Sequence, residues 1–137
     1  MESREIEVHT GSHAGLTDLT DACTAFLAEV AHGADGLLNV FVPHATAGIV
    51  ITELGSGSDD DLVDTLARLL PRDDRWRHAH GSRGHGADHV LPLLAAPGVS
   101  VPVVSGRAQL GTWQSIALLD PNLDNPTRRV RLSFLAG

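Results

Sequence analysis

In the segment SREIEVHT, Ile6 and Val8 alternate with Glu5, Glu7 and His9. That two-residue period predicts a strand with one wet face. GSHAGL reads as a turn. From Thr17 the period lengthens: Leu19, Ala22, Cys23, Phe26, Leu27 and Val30 recur every three or four residues. This predicts a helix that Thr17 or Asp18 can cap and that ends near Gly33. GLLNVFVP and GIVITE follow as strands rich in β-branched and apolar residues. SGSDDDLVDTLARLLP predicts a second helix, with Ser58 as its cap and Asp59, Asp60 and Asp61 on its positive first turn. Its buried stripe is expected to be Leu62, Val63, Leu66, Leu69 and Leu70, and Pro71 ends it. Beyond a glycine-rich loop, ADHVLPLLAAPG reads as a short helix opened by Asp88, with Pro92 tolerated in its first turn. VSVPVV, GTWQSIALLD and RRVRLSFL complete the set as strands.

The predicted order is β, α, β, β, α, a loop with a short helix, and three further strands. No internal repeat, linker or low-complexity segment interrupts it. Strands predominate around two main helices, which places the chain in the α+β class. The expected architecture is a single domain over residues 1–137, β-sandwich-like, with a largely antiparallel sheet and its helices on one side.

Composition narrows the chemistry. The 137 residues are 42% hydrophobic, enough for a real core, and carry a net charge of −7. An acidic balance argues against a broad nucleic-acid surface. Lysine is absent, so every basic residue is an arginine, the side chain that forks onto phosphates and carboxylates. The single cysteine, Cys23, falls in the helical pattern and reads as a small core residue with no disulfide partner. No long apolar run suggests a leader or a membrane span, so the expectation is a cytoplasmic protein without a membrane partner.

Four histidines, His78, His80, His85 and His89, fall within the fourteen residues RHAHGSRGHGADHV. His85 and His89 would share a face if a helix ran through them, but Gly84 and Gly86 oppose one. Spacing alone leaves open a metal site and a histidine-bearing surface loop. His44 follows a strand and a proline, which holds its backbone. The aspartate run at 59–61 is read as a helix start, since neighbouring side chains on a helix point apart. GSGSD at 55–59 fits an anion-binding turn or a simple loop and cap. A phosphate-binding P-loop and a Gly-x-Ser-x-Gly elbow are both missing. In GRAQLGTWQSI, Trp113 and Gln114 would face opposite sides of a strand. The segment suits a hairpin with a core tryptophan, or one that turns Arg107 and Gln114 toward a ligand.

Taken together, FVPHATAGIVITE, WRHAHGSRGHGADHVLPLL, VPVVSGRAQLGTWQSIALLD and RRVRL resemble the YjbQ family, often labelled secondary thiamine-phosphate synthase. The match runs in the correct order over nearly the whole chain. Its most specific part is the Gly-Arg-x-x-x-Gly-Thr-Trp-Gln block, here Gly106 to Gln114. The resemblance implies a compact α+β sandwich, a homotrimer, and a site at the subunit boundary where histidines hold a divalent metal, zinc in some members. Carried over residue by residue, the metal ligands are His44, His78 and His89. Glu53 becomes a base or a group supporting the metal. Arg107, Arg129 and the Gly-Thr-Trp-Gln turn, with Gln114, become the phosphate side.

The implied reaction joins a hydroxymethylpyrimidine diphosphate to a thiazole phosphate and releases pyrophosphate. The implied partner is thus a phosphorylated small molecule. A zinc-dependent hydrolase with Glu53 as base, or a non-catalytic trimer binding a metal or small ligand, are the competing expectations. The chain departs from the family pattern at Ala45 and Thr46, Thr52, Trp76, Pro92 and His85.

Overall fold

A computed structural model describes residues 1–137. The strands are β1 (Glu2–His9), β2 (Gly15–Asp18), β3 (Gly36–Phe41), β4 (Gly48–Thr52), β5 (Gly98–Val104), β6 (Arg107–Ala108), β7 (Ser115–Asp120) and β8 (Thr127–Ala136). The helices are α1 (Thr20–Val30) and α2 (Ser58–Leu69), with single 3-10 turns at His85–Ala87 and Leu91–Leu93. Five strands pair in the order β1-β8-β3-β5-β6 and three in the order β2-β7-β4. Every pair is antiparallel. The α+β antiparallel architecture is the expected one. No helix is long and apolar enough to cross a membrane.

The alternation in the strands decides where the core lies. Leu38 and Val40 of β3, Val101 and Val103 of β5, and Val130 and Leu132 of β8 face inward from the large sheet. Ile49 of β4 and Ile116 and Leu118 of β7 meet them from the small sheet, and α1 adds Cys23, Phe26 and Leu27. Burial, and then the nearby Asp18 carboxylate, push the Cys23 thiol up to about 12, so it stays a neutral core group.

Leu119 on the other face of β7 packs instead with Leu91 and Ala95, and with the half-buried Leu16, Val50, Leu66 and Leu70. The two helices therefore lie against opposite faces of the small sheet and do not share a side. Nor is the stripe of α2 buried. None of its residues is, and Leu69 is 61% exposed. One helix over three short strands has too little neighbouring surface to enclose five large side chains.

Four local expectations change. The stretch read as a turn and helix start contains β2, whose four residues pair with β7. Helix α1 accordingly begins at Thr20, where Asp18 Oδ1 accepts the Thr20 amide at 2.8 Å. At α2, Gly57 is the cap with φ of +89° and Ser58 is the first helical residue. The short helix is two separated 3-10 turns, and Asp88 between them bonds an arginine side chain in place of capping. The strand holding Ser115 starts after Trp113, which sits in a turn, 73% exposed. Trp113 is thus not a core residue.

These placements set a stability contrast. Phe26→Ala, which empties the centre of the main core, is expected to cost about 3–5 kcal/mol. Leu69→Ala, on the open face of α2, is expected to change stability by less than about 0.5 kcal/mol. Urea midpoints of the two variants, compared with the parent chain, check both.

Candidate metal centre and functional site

Pro71 ends α2 and sends the chain into the histidine loop. Arg72 then anchors that loop. Its guanidinium bonds both oxygens of the buried Asp88 at 2.5 Å and Ser82 Oγ at 2.9 Å. Trp76 Nε1 donates to the Pro71 carbonyl at 2.8 Å. The loop passes so close to these anchors that a side chain would not fit. A Cβ at Gly84, already at φ +75°, would lie 2.5 Å from the Arg72 backbone, and one at Gly86 would meet Trp76. The glycines of the loop thus permit close approach, which is why the sequence alternates them with imidazoles.

The folding of this loop converges its four histidines. Ligand nitrogens of His78, His80 and His85 all lie within 4.8 Å of one another. His89 Nε2 lies 3.0 Å from His85 Nε2, and its ring is 4.0 Å from that of His78. His85 is buried, and His78 and His80 are exposed. The cluster borders a cleft of about 180 Å³ lined by Asp73, Trp76, His78, Ser82 and His85.

The donor set suits a divalent transition metal. Imidazole is a preferred ligand of zinc, copper and nickel. Metal–nitrogen bonds of about 2.0–2.1 Å put two ligands of a tetrahedral ion about 3.3 Å apart, close to the 3.0 Å between His85 and His89. Ligand histidines must be neutral, and the surroundings favour that. Desolvation, then His80 and His85, hold His78 below the ordinary histidine value. Desolvation, then His78, His85 and His80, do the same at His89.

His44 is placed differently from the ligand set carried over by resemblance. Its Nε2 accepts the Arg129 backbone N–H at 3.1 Å, and its Nδ1 faces Arg128 Nη1 at 3.4 Å. One lone pair is already taken and the other nitrogen meets a cation, so His44 in this chain has none free for an ion. Burial, then Arg128 and Arg129, depress its protonation. His44 is nevertheless wired to the cluster. Arg128 forms a buried bidentate pair with Asp120, at 2.7 and 2.9 Å, and Asp120 Oδ1 accepts the Asn122 amide. Asn122 Nδ2 then reaches His85 Nδ1 at 3.1 Å.

The other candidates lie apart. Arg107 and Gln114 line a cleft of about 750 Å³ with Thr20, Thr24, His32 and Ser105, and no histidine of the cluster borders it. Gln114 Oε1 accepts the Gly111 amide at 2.8 Å, which closes the Gly-Thr-Trp-Gln turn. Arg129 reaches Glu5 on the outer face of the large sheet. Glu53 is exposed just past β4 and borders neither cleft. One chain therefore groups His78 and His89, adds His80 and His85, and leaves His44, Glu53 and the Arg107–Gln114 pair elsewhere. Histidine density marked the loop; its partners Asp120, Asn122 and Asp124, thirty or more residues on, carried no spacing signal.

Depressed histidines make the fold sensitive to acid. His44, His78 and His89 protonate more readily in the unfolded chain, which takes up protons first as pH falls below about 6.5. Their stabilising contribution is full above that value and is lost as pH falls toward their lowered folded values. Melting temperature of metal-free protein is expected to fall between about pH 7 and about pH 5. The slope should be shallower in His44→Gln, and an identical slope in that variant would rule out its share.

Comparison with known proteins places the chain. The family model described as UPF0047 protein YjbQ-like matches residues 4–137. A UPF0047 protein of Mycobacterium tuberculosis is 63% identical over 137 residues, covering all of both chains. One from Archaeoglobus fulgidus is 33% identical over 132 residues, covering 96% of this chain and 99% of its own. Among solved structures, a hypothetical protein of Aeropyrum pernix K1 superimposes with a TM-score of 0.89 at 30% identity, over the full length of both. A YbjQ-like protein of unknown function from Sulfolobus solfataricus shares the fold, with a TM-score of 0.91 at 24% identity, over 99% of this chain and 97% of that one. Family match, relatives and fold agree: this chain belongs to the YjbQ/UPF0047 family.

Proposed function

We propose that this protein is a metal-dependent enzyme acting on a phosphorylated small molecule, with His78, His80, His85 and His89 supplying the ligands and zinc as the metal. The observation that carries this reading is the gathering of four imidazoles on one loop, anchored by Arg72 and Asp88, with His78 and His85 bordering a cleft. A bound dication there would offset negative charge developing on a phosphate or on a bound water. The chain's own residues supply the rest. Arg107 offers a guanidinium for a phosphate at the rim of the larger cleft, and Gln114, with its Oε1 held by Gly111, keeps its amide N–H groups to donate. His44 orders the Arg129 backbone and does not ligate.

The synthase reaction that the family label offers, joining a pyrimidine diphosphate to a thiazole phosphate, is the first reaction to measure. An all-imidazole donor set also suits a hydrolase, because neutral ligands leave a bound water acidic, whereas diphosphate departure more often employs magnesium on carboxylates. In this reading the cluster and the Arg107 cleft act on one molecule. Within one chain they border separate cavities, so the reading includes a site completed between subunits of a homotrimer.

Two measurements test this. In zinc titrations, His78→Ala and His89→Ala are expected to lose affinity steeply while His44→Ala stays near the parent; the reverse order rejects the ligand set. Activity is assayed with the diphosphate–phosphate pair and with a panel of phosphoesters. Arg107→Ala and His89→Ala are each expected to be inactive, and mixing the two after subunit exchange should restore about a quarter of parent activity, the random share of intact shared sites. No restoration means that each site is built within one chain.

A further inference from the structure

We propose that Asp124 is the outer carboxylate that makes His85 a metal ligand, by accepting a hydrogen bond from the His85 Nδ1–H and leaving its Nε2 lone pair toward the cluster. This rests on the metal reading above and deepens it. His85 Nδ1 lies 3.1 Å from Asp124 Oδ2 and 3.4 Å from Asp88 Oδ2. The two carboxylates are not equivalent. Asp88 already gives both oxygens to Arg72. Nearby, Asp73 is paired with Arg75 and Asp74 with Arg83. Asp124 forms no ion pair with an arginine; its Oδ2 accepts the Ser82 amide, at 3.1 Å, and faces His85. Of the carboxylates around the cluster, it is the one with negative charge left to share with an imidazole.

Asn122 presents the competing arrangement. Its Oδ1 accepts the amides of Asp124 and Asn125, at 2.9 and 3.0 Å, so the side chain cannot flip and Nδ2 must face His85. If Asn122 donated to a bare Nδ1, the His85 proton would sit on Nε2 and bond His89, and His85 could hold no ion. A charge-assisted bond from Nδ1–H to Asp124 is roughly twice as strong as that neutral bond. Asn122 Nδ2 has an outlet in Asp88 Oδ2, at 3.4 Å. The Nδ1–H form therefore wins, and two Nε2 lone pairs, of His85 and His89, point at one spot 3.0 Å across. A carboxylate behind a ligand histidine fixes its tautomer and raises its basicity.

The test has two readouts. In metal-free full-length protein, nitrogen NMR of the imidazoles is expected to show His85 protonated at Nδ1, and Asp124→Asn is expected to shift it to the Nε2–H form. In zinc and cobalt titrations, Asp124→Asn is expected to weaken binding by about 10- to 100-fold. The cobalt absorption bands should change with it, and Asp124→Glu should recover part of the affinity. A purely structural role for Asp124, through Ser82, would leave the His85 tautomer unchanged. An Nε2–H His85 in the parent protein, or unaltered metal affinity in Asp124→Asn, overturns the assignment while leaving the metal centre standing. A parent chain that binds neither zinc nor cobalt overturns both.

Discussion

The bidentate pair between Asp120 and Arg128 is the contact on which the rest of the site depends. Both side chains are almost fully buried, at 2% and 3% exposure. Two ions withdrawn from water repay their desolvation only when every remaining donor and acceptor is satisfied. Most are satisfied here: Arg128 also donates to Thr46 Oγ1 at 3.0 Å, and Asp120 receives the Asn122 amide. The pair joins the end of β7 to the start of β8. Through its secondary bonds it sets the loop after β3 on one side and the segment 121–126 on the other. Asn122 and Asp124 reach the histidines from that segment, so an ion pair at the strand ends helps fix where imidazole nitrogens point several residues away.

This dependence explains what could be read from the chain and what could not. Periodicity carried β1, α1, β3, β4, α2, β5, β7 and β8, because each has enough alternating or three-to-four-spaced apolar residues to declare its period, but not the two-residue β6. It missed β2, whose four residues Gly15–Asp18 are too few to show alternation and are recruited by β7. It left a core tryptophan as one of two readings of the Trp113 segment, because large aromatics usually go inside, whereas the turn closed by Gln114 holds the indole outside. It assigned α2 a buried stripe from spacing alone, and spacing does not say whether enough partner surface exists. The histidine loop was visible as an anomaly of composition. Resemblance pointed to His78 and His89, whose rings the fold brings together. That His80 and His85 lie beside them, and that His44 instead accepts the Arg129 amide, required knowing that Arg72, Asp88, Asn122 and Arg128 meet across the fold.

Charge accounting around the cluster gives the loop its chemical character. The chain carries a net charge of −7, yet three of the four carboxylates near the histidines, Asp73, Asp74 and Asp88, are each matched by an arginine. An arginine cannot lose its proton and cannot accept a bond, so each of these pairs is a fixed, closed unit. Neutral imidazoles stay open to a cation where carboxylates so paired would not. The segment thus segregates its functions: aspartate–arginine pairs hold the loop's shape, and histidines keep free lone pairs.

The topology sets the limit of what one chain can do. Arg107 lies on β6, an edge strand of only two residues, and Gln114 follows in the turn before β7. The histidine loop emerges from the end of α2, on the far face of the small sheet. The main core fills the space between that sheet and the large one, so no rotamer change carries Arg107 to His89. An edge strand, by contrast, presents unpaired backbone and side chains to whatever approaches from outside. A reaction that drew on both places would therefore need a second copy of the chain to bring them together.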